Sequence, residues 1–174
     1  MSLPTALRPT GSDTDRRLLG SAIDLSRLSP PSPTRYAVGA VLVDAGGVVL
    51  ATGYTGETDP SVHAEEAALA KLAGTARPAT LYTSLEPCTV RRSRPTPCTD
   101  LLLAAAISRV VFALREPLLF ADCDGVETLR RNGIEVVEIA DLGLQVREIN
   151  AHLFPVSPTR RRRLVQRIRQ TRRM

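Results

Sequence analysis

The order of the apolar segments is the feature that most restricts how this chain can fold. Two short runs rich in β-branched residues, at 36–43 and 48–53, are separated by the turn sequence DAGG, which predicts a β-hairpin. Further short apolar runs at 80–85, 109–114 and 134–139 alternate with stretches of helical periodicity. This order predicts a three-layer α/β/α domain with a mixed five-stranded sheet, in which the later strands are parallel.

Helical periodicity defines five helices around these strands. The first is predicted over residues 13–28, with Asp13 as its N-cap and Pro30 just beyond its end. The second is predicted over residues 63–74, where Gly74 closes it. The remaining helices are predicted at 99–106, 122–132 and 141–154.

Charge is distributed unevenly along the chain. The net charge is +5, but residues 159–174 hold eight arginines and no acid, so this tail carries +8 and the rest of the chain −3. We expect a flexible lead-in at 1–12, one globular domain at 13–154 and an Arg-rich tail at 155–174. With 174 residues, 43% hydrophobic and 24% charged, the chain is not a fibre, a disulfide scaffold or a wholly disordered protein.

The apolar runs and the cysteines indicate in which cellular compartment the protein is expected. The longest uninterrupted apolar run, residues 101–107, is far too short for a membrane span, and the N-terminal residues lack the apolar core of a signal peptide. We therefore expect a cytoplasmic protein without a membrane partner. In that compartment cysteines, of which the chain has Cys88, Cys98 and Cys123, more often serve a metal or catalysis than disulfides.

Three residues offer the ligands of a metal site. His63 begins a predicted helix, and Cys88 and Cys98 each follow a proline. One imidazole and two thiolates can hold a tetrahedral zinc ion with the fourth position open to water. Zinc lowers the pKa of a bound water toward ~7, and Glu65, two residues after His63, could accept a proton from that water.

This arrangement resembles the cytidine deaminase-like superfamily, whose signature is a His-x-Glu run followed by Pro-Cys and a second Cys. The resemblance covers residues 13–154. Residues 80–114, TLYTSLEPCTVRRSRPTPCTDLLLAAAISRVVFAL, most resemble the deaminase domain of the bifunctional riboflavin-biosynthesis deaminase/reductase. The N-terminal half, with TRYAVGAVLV and LATGYTG, resembles deoxycytidylate deaminases as much.

The resemblance implies a zinc-dependent hydrolytic deaminase that replaces an exocyclic amine by a carbonyl on a pyrimidine-type ring. His63, Cys88 and Cys98 are then the zinc ligands. Glu65 takes a proton from water and returns it to the ring nitrogen and the departing ammonia, while the backbone N–H of Ala64 binds a ring carbonyl. A nucleobase, nucleoside or nucleotide substrate and a homodimer or homotetramer are also implied.

Departures from both families fall where substrates are recognised. Nine residues separate the two cysteines, against eight in the riboflavin family. Arg35 lies where riboflavin deaminases have a Pro-Asn-Pro turn, and Thr55 lies where the families have His or Asn. Because these positions contact the sugar or phosphate of the substrate in the families, we expect Arg35 and Thr55 to bind substrate. With the chain ending at residue 174, we expect no reductase domain.

The identity of the substrate stays open at this point. The first alternative is a riboflavin-pathway diaminopyrimidine, and the second is cytosine, a purine or a specialised-metabolite base. A protein of another class, which binds or edits RNA through its Arg-rich tail, is a third. The arginines between the cysteines either bind a substrate phosphate or form a solvated basic loop; they are Arg91, Arg92 and Arg94.

Other polar residues have a structural interpretation. A purely structural zinc site would need Cys123 or His152 as its fourth ligand. We instead expect Cys123 to be a small residue near the last helices and His152 to lie at a helix end on the surface or at an interface. Glu66 is expected to favour the dipole of the helix that it begins.

Overall fold

The computed structural model describes residues 11–72, 79–116 and 124–154. Its strands are β1 (Gly39–Asp44), β2 (Val49–Tyr54), β3 (Ala79–Leu85), β4 (Arg109–Leu114) and β5 (Glu135–Glu138). They form one sheet in the order β2-β1-β3-β4-β5. β1 is antiparallel to both of its neighbours, whereas β3, β4 and β5 are parallel. The predicted hairpin and mixed five-stranded sheet are confirmed.

Helices cover both faces of this sheet. They are α1 (Asp13–Ser26), α2 (Ala64–Ala70), α3 (Cys98–Ala104), α4 (Gly125–Arg131) and α5 (Gly143–Ile149). α1 and α5 contact each other and the strands on one face, while α2, α3 and α4 follow one another along the opposite face. The three-layer prediction is therefore confirmed. Among the described residues, no helix combines the length and apolar character required to cross a bilayer.

The core lies between the helices and the central strands. Its largest fully buried side chains include Leu19 and Ile23 of α1, Leu42 of β1 and Phe112 of β4. Such side chains each contribute about 1.5–3 kcal/mol when removed from water. Because helices cover both faces, β1 and β4 are buried along nearly their whole length rather than at alternate residues, which explains their continuous apolar runs in the sequence.

The capping residues at the start of α1 and at the end of α2 differ from the predictions. Ser12, not Asp13, is the N-cap of α1: its Oγ accepts from the Asp15 N–H at 3.1 Å, and the Asp15 carboxylate accepts from the Ser12 N–H at 3.0 Å. This reciprocal pair satisfies two backbone donors, which Asp13 as N-cap would not achieve. α2 ends at Ala70 with Lys71 as its C-cap, so the prediction that Gly74 closes it was wrong; Gly74 lies outside the described residues.

The last helix is shorter than predicted. Instead of a continuous helix over 141–154, α5 is flanked by 3-10 helices at Ala140–Leu142 and Ala151–Leu153. Asn150 explains the interruption. Its fully buried side chain donates to the carbonyls of Val146 and Ala37 and accepts from the Ala37 N–H at 2.7 Å. These bonds add to the helical bond from the Asn150 N–H to the Val146 carbonyl and tie the end of α5 to the segment before β1.

A glycine in β2 places α2 close to the sheet. A side chain at Gly53 would collide with the backbone carbonyl of Ala64, the first residue of α2. Because Gly53 has no Cβ, the start of this helix lies directly on the strand. His63 and Glu65 are held at that start.

Candidate metal centre and active site

Three segments converge on one point beside the sheet. His63 is the N-cap of α2, Cys88 follows the carboxyl end of β3, and Cys98 is the first residue of α3. His63 Nδ1 lies 3.6 Å from Cys88 Sγ and 3.4 Å from Cys98 Sγ. The three ligand atoms all lie within 4.8 Å of one another, so the structure brings the three predicted ligands together.

The donor set fits a zinc ion. With Zn–S bonds of about 2.3 Å and Zn–N bonds of about 2.0 Å, a tetrahedral centre requires sulfur and nitrogen ligands about 3.5 Å apart. The observed separations of 3.4 and 3.6 Å agree with this value. One imidazole and two thiols leave a fourth tetrahedral position, which is typical of catalytic rather than structural zinc.

The two sulfurs differ in their electrostatics. Hydrogen bonding by the Cys98 thiol, followed by that of His63, lowers the pKa of Cys88 to about 4, although burial opposes this. The backbone N–H of Cys98, at the start of α3, also donates to Cys88 Sγ at 3.4 Å. The hydrogen bond of Cys98 to Cys88 and the burial of Cys98 raise the pKa of the Cys98 thiol. Cys88 is therefore the sulfur that more readily becomes a thiolate.

Glu65 lies beside this cluster and is almost completely buried, with 3% of its surface exposed. Its Oε1 accepts from Thr83 Oγ1 at 2.9 Å, and its Oε2 accepts from Cys98 Sγ at 3.4 Å. Burial is the main cause that raises the pKa of this carboxyl, and the neighbouring His63 lowers it less. A carboxyl in such surroundings is a stronger proton acceptor than an exposed one, as a general acid–base group requires.

A cavity of about 500 Å³ opens onto the cluster. His63, Glu65 and Cys88 form its inner end, and Arg35 and Thr55 line its walls. Thr55 is buried, and its Oγ1 accepts from the backbone N–H of Val38 at 3.2 Å. Arg35 is half-buried, and its Nε donates to Ser32 Oγ at 3.1 Å. Ala64 is fully buried at the first position of α2.

The three arginines between the cysteines have different surroundings. The Arg91 side chain is 2% exposed and pairs with Glu66 at 2.8 Å. Arg94 pairs with Glu66 at 3.0 Å and with Asp59. Arg92 is exposed and lines the cavity. Arg91 and Arg94 thus resemble structural braces, and Arg92 is the loop arginine best placed to meet a substrate anion.

Two residues that hold the site in place, Glu86 and Thr83, were not predicted from the sequence. Glu86, buried just before Pro87-Cys88, accepts from the backbone N–H groups of Val126 at 2.9 Å and Glu116 at 3.2 Å, and so joins the loop after β3 to two later segments. In the sequence, the EPC run at 86–88 indicated a role for Cys88 only. Thr83, which contacts Glu65, is an ordinary strand residue by its sequence, so no local signal could have indicated its role.

The two residues considered as a fourth zinc ligand, Cys123 and His152, do not belong to the cluster that the structure describes. His152 is exposed in the 3-10 helix Ala151–Leu153, in agreement with the predicted surface position. Cys123 and the predicted tail at 155–174 lie outside the described residues. Within the described ranges, the group that could hold a metal ion consists of His63, Cys88 and Cys98.

The segment that carries this geometry matches a known zinc-binding region. The cytidine and deoxycytidylate deaminase zinc-binding region matches residues 12–114, which is more than half of the chain. The chain belongs to the cytidine and deoxycytidylate deaminase family. The predicted resemblance and the predicted zinc cofactor are thereby confirmed.

Within this family, the chain is similar to proteins of riboflavin biosynthesis. The diaminohydroxyphosphoribosylamino-pyrimidine deaminase of Schizosaccharomyces pombe is 36% identical over 122 residues, 67% of this chain and 30% of that protein. The riboflavin biosynthesis protein RibD of Aquifex aeolicus is 38% identical over 149 residues, 82% of this chain and 39% of that protein.

Solved structures give the same relationship. The diaminohydroxyphosphoribosylaminopyrimidine deaminase/5-amino-6-(5-phosphoribosylamino)uracil reductase of Thermotoga maritima is similar with a TM-score of 0.65 and 33% identity. The match covers 78% of the chain described here and 39% of the Thermotoga maritima chain. This chain therefore spans less than two fifths of the length of these three relatives.

Proposed function

We propose that this protein is a zinc-dependent hydrolytic deaminase that replaces an exocyclic amine by a carbonyl on the pyrimidine ring of a ribosyl phosphate compound. The observation that carries the proposal is the buried Glu65 carboxylate, 3.4 Å from Cys98 Sγ and open to the cavity. The names of the relatives support a diaminopyrimidine ring as the substrate.

In this proposal His63, Cys88 and Cys98 hold the zinc ion. When bound, zinc lowers the pKa of a coordinated water to about 7 and so supplies a nucleophile at neutral pH. Glu65 accepts the proton of the attacking water and delivers it to the ring nitrogen. A second transfer through Glu65 protonates the amine, so that ammonia leaves and one water is consumed in each turnover.

The surroundings of Glu65 suit these transfers. Thr83 Oγ1 donates to Oε1 and fixes the carboxylate, while Oε2 lies on the side of Cys98, one of the zinc ligands. Since burial raises the pKa of Glu65, this carboxylate accepts a proton more readily than an exposed one and can return it within the site. The backbone N–H of Ala64, at the start of α2, binds a ring carbonyl and orients the ring.

The cavity walls bind the remainder of the substrate. Arg35, Arg91 and Arg92 line the cavity. Arg91 is paired with Glu66, whereas within the described residues no ion pair engages Arg35 or Arg92. We therefore assign the contact with a substrate phosphate to Arg35 and Arg92, and the contact with the sugar to Thr55. Guanidinium groups match phosphate oxygens in pairs of hydrogen bonds.

The catalytic role is tested by Glu65→Gln, which keeps the size of the side chain but cannot accept a proton. Ammonia release should fall by a factor of about 10²–10⁴, the usual contribution of a general acid–base group. Zinc content, measured by elemental analysis, should stay at the level of the unsubstituted protein. A variant that keeps both zinc and full activity contradicts the mechanism.

The substrate is tested by ammonia release across a panel of bases, nucleosides and nucleotides, including a diaminopyrimidinone ribosyl phosphate. Activity on that compound, lost when its phosphate is removed, is the expected result. Preference for cytosine, a purine or an unphosphorylated base contradicts the proposed substrate but not the proposed reaction. Arg35→Met and Arg92→Met should each raise KM with little change in kcat.

Two wider expectations also belong to the proposal. We propose a homodimer or homotetramer, which light scattering of the purified protein tests by its mass. We also propose a cytoplasmic location, which fractionation of the source cells tests.

A further inference from the structure

Glu66 directly follows Glu65, but its carboxylate contacts the loop between the two cysteines. Oε2 accepts from Arg91 Nη2 at 2.8 Å and from the backbone N–H of His63 at 3.4 Å. Oε1 accepts from Arg94 Nη1 at 3.0 Å. One carboxylate therefore joins the residue that provides the imidazole to the loop whose two ends provide the sulfurs.

Arg91 bonds both Glu66 and the segment that precedes His63. Its side chain is 2% exposed, and its Nη2 also donates to the backbone carbonyl of Ser61, two residues before His63. Its Nε donates to Ser93 Oγ at 3.1 Å, within the same loop. A buried guanidinium held by a carboxylate and a carbonyl fixes the loop against the segment that leads into α2.

The loop at 89–97 depends on such contacts because it contains no helix or strand of its own. The bonds from Cys98 N–H to Cys88 Sγ and from Thr99 to the Cys88 carbonyl hold the two cysteines near each other. They leave the distance to His63 undetermined, since His63 belongs to a different segment. Glu66 and Arg91 bridge these two segments.

We propose that Glu66 is a positioning residue for the zinc ion: with Arg91 it sets the distance between the imidazole and the two sulfurs. The proposal rests on the zinc site of the proposed function and not on the deamination reaction. Groups that orient metal ligands typically change metal affinity by 10–100-fold when they are replaced. Glu66 does so by bonding the backbone of a ligand and by neutralising the buried cation that fixes the loop.

The test compares Glu66→Gln, Arg91→Gln and the double variant, with Asp24→Asn as a control. Asp24 pairs with Arg27 in an exposed ion pair, and both side chains are more than half exposed. Zinc affinity is measured by competition with a chromophoric chelator, and the free energy of unfolding of each zinc-free protein is measured in urea.

We expect Glu66→Gln to weaken zinc binding by about 10–100-fold, while Asp24→Asn leaves it unchanged. The single variant leaves the buried Arg91 without its counter-charge. Two neutral amides restore the balance, so the double variant should bind zinc more tightly than Glu66→Gln alone. Recovery in the double variant shows that Glu66 acts by neutralising the buried Arg91 cation, whereas no recovery shows that it acts through its bonds to the His63 N–H and the loop.

A zinc affinity of Glu66→Gln within about twofold of the unsubstituted protein overturns the proposal, whatever happens to the unfolding free energy. A lower stability with unchanged zinc affinity means that the pair holds the fold only. If Glu66→Gln does not fold, Glu66→Asp, which keeps the charge on a shorter side chain, is measured against the same limit. Absence of deamination with normal zinc binding contradicts the proposed reaction and not the role of Glu66.

Discussion

Two buried acids occupy different regions of the molecule and have opposite electrostatics. Asp15, on α1, is 5% exposed, and Glu65, at the start of α2, is 3% exposed. Asp15 accepts from Arg109 at 2.7 and 3.1 Å and from Tyr82 at 2.8 Å. The bond from Arg109 is the main cause that holds the pKa of Asp15 well below its usual range. Burial raises the pKa of Glu65 instead.

Two acids with similarly low solvent exposure thus have opposite pKa shifts, with the Arg109 bond the main cause at Asp15 and burial the main cause at Glu65. A carboxylate paired with a guanidinium and a phenol is stabilised in its charged form and takes no part in proton transfer. Glu65 has a hydroxyl and a thiol as its hydrogen-bond donors, so desolvation dominates. The ion pair of Asp15 and Arg109 therefore stabilises the fold, whereas Glu65, which has no guanidinium partner, is suited to proton transfer.

The largest effect is expected from removing a zinc ligand. In Cys88→Ser, zinc content should fall to a small fraction of one ion per chain, and deamination should fall by at least about 10³-fold, because a hydroxyl replaces a thiolate ligand. Elemental analysis and ammonia release measure the two effects.

The matched control is Cys123→Ser, which changes the third cysteine of the chain. It should keep zinc and activity. Loss of zinc in Cys123→Ser would instead indicate a closed structural site with a fourth protein ligand.

A smaller effect is expected in the region around Asp15. Arg109→Met leaves the buried Asp15 carboxylate without its cation and should lower the free energy of unfolding by about 2–3 kcal/mol, since Arg109 itself is partly exposed. Urea unfolding measures this loss, and zinc content should not change. If zinc is lost together with stability at temperatures where the variant is folded, the two regions are coupled and the contrast between them fails.

Acid should weaken the same region by protonating Asp15. Because folding lowers the pKa of Asp15 below its ordinary value of 3.8, its stabilising contribution is present above pH 4 and is lost as the pH falls further. The difference in unfolding free energy between the unsubstituted protein and Asp15→Asn should therefore shrink from pH 6 to pH 3. A difference that stays constant over this range would show that Asp15 is not stabilised as a charged group.

The smallest effect concerns Tyr82. Tyr82→Phe removes one hydrogen bond to Asp15 and should cost about 1 kcal/mol of unfolding free energy at pH 7. Burial and the bond to Asp15 raise the pKa of Tyr82 from 10.0 to about 12, so the contribution of the neutral phenol is complete below pH 10 and is lost as the pH rises through 12. Absorbance of the phenolate at increasing pH tests this value.

The residue types and spacing of the centre could be predicted from the sequence because few residues were available for metal binding. His63, Cys88 and Cys98 stood out against a chain with two histidines and three cysteines. The strands were predicted within a few residues because apolar periodicity is a local property. The start of α1 and the shortened α5 were not, since Ser12 caps α1 and Asn150 bonds the distant Ala37 through side-chain contacts that apolar periodicity does not encode.

Sequence by itself determined the element order, the sheet type and the chemical identity of the metal donors. Tertiary structure decided which of the charged residues serve the site: Glu66 holds Arg91 and Arg94, Asp15 holds Arg109, and Glu65 pairs with none of these guanidiniums. Periodicity is encoded by neighbours along the chain, whereas the pKa and role of a carboxylate depend on side chains that lie far apart in sequence and meet only when the layers pack.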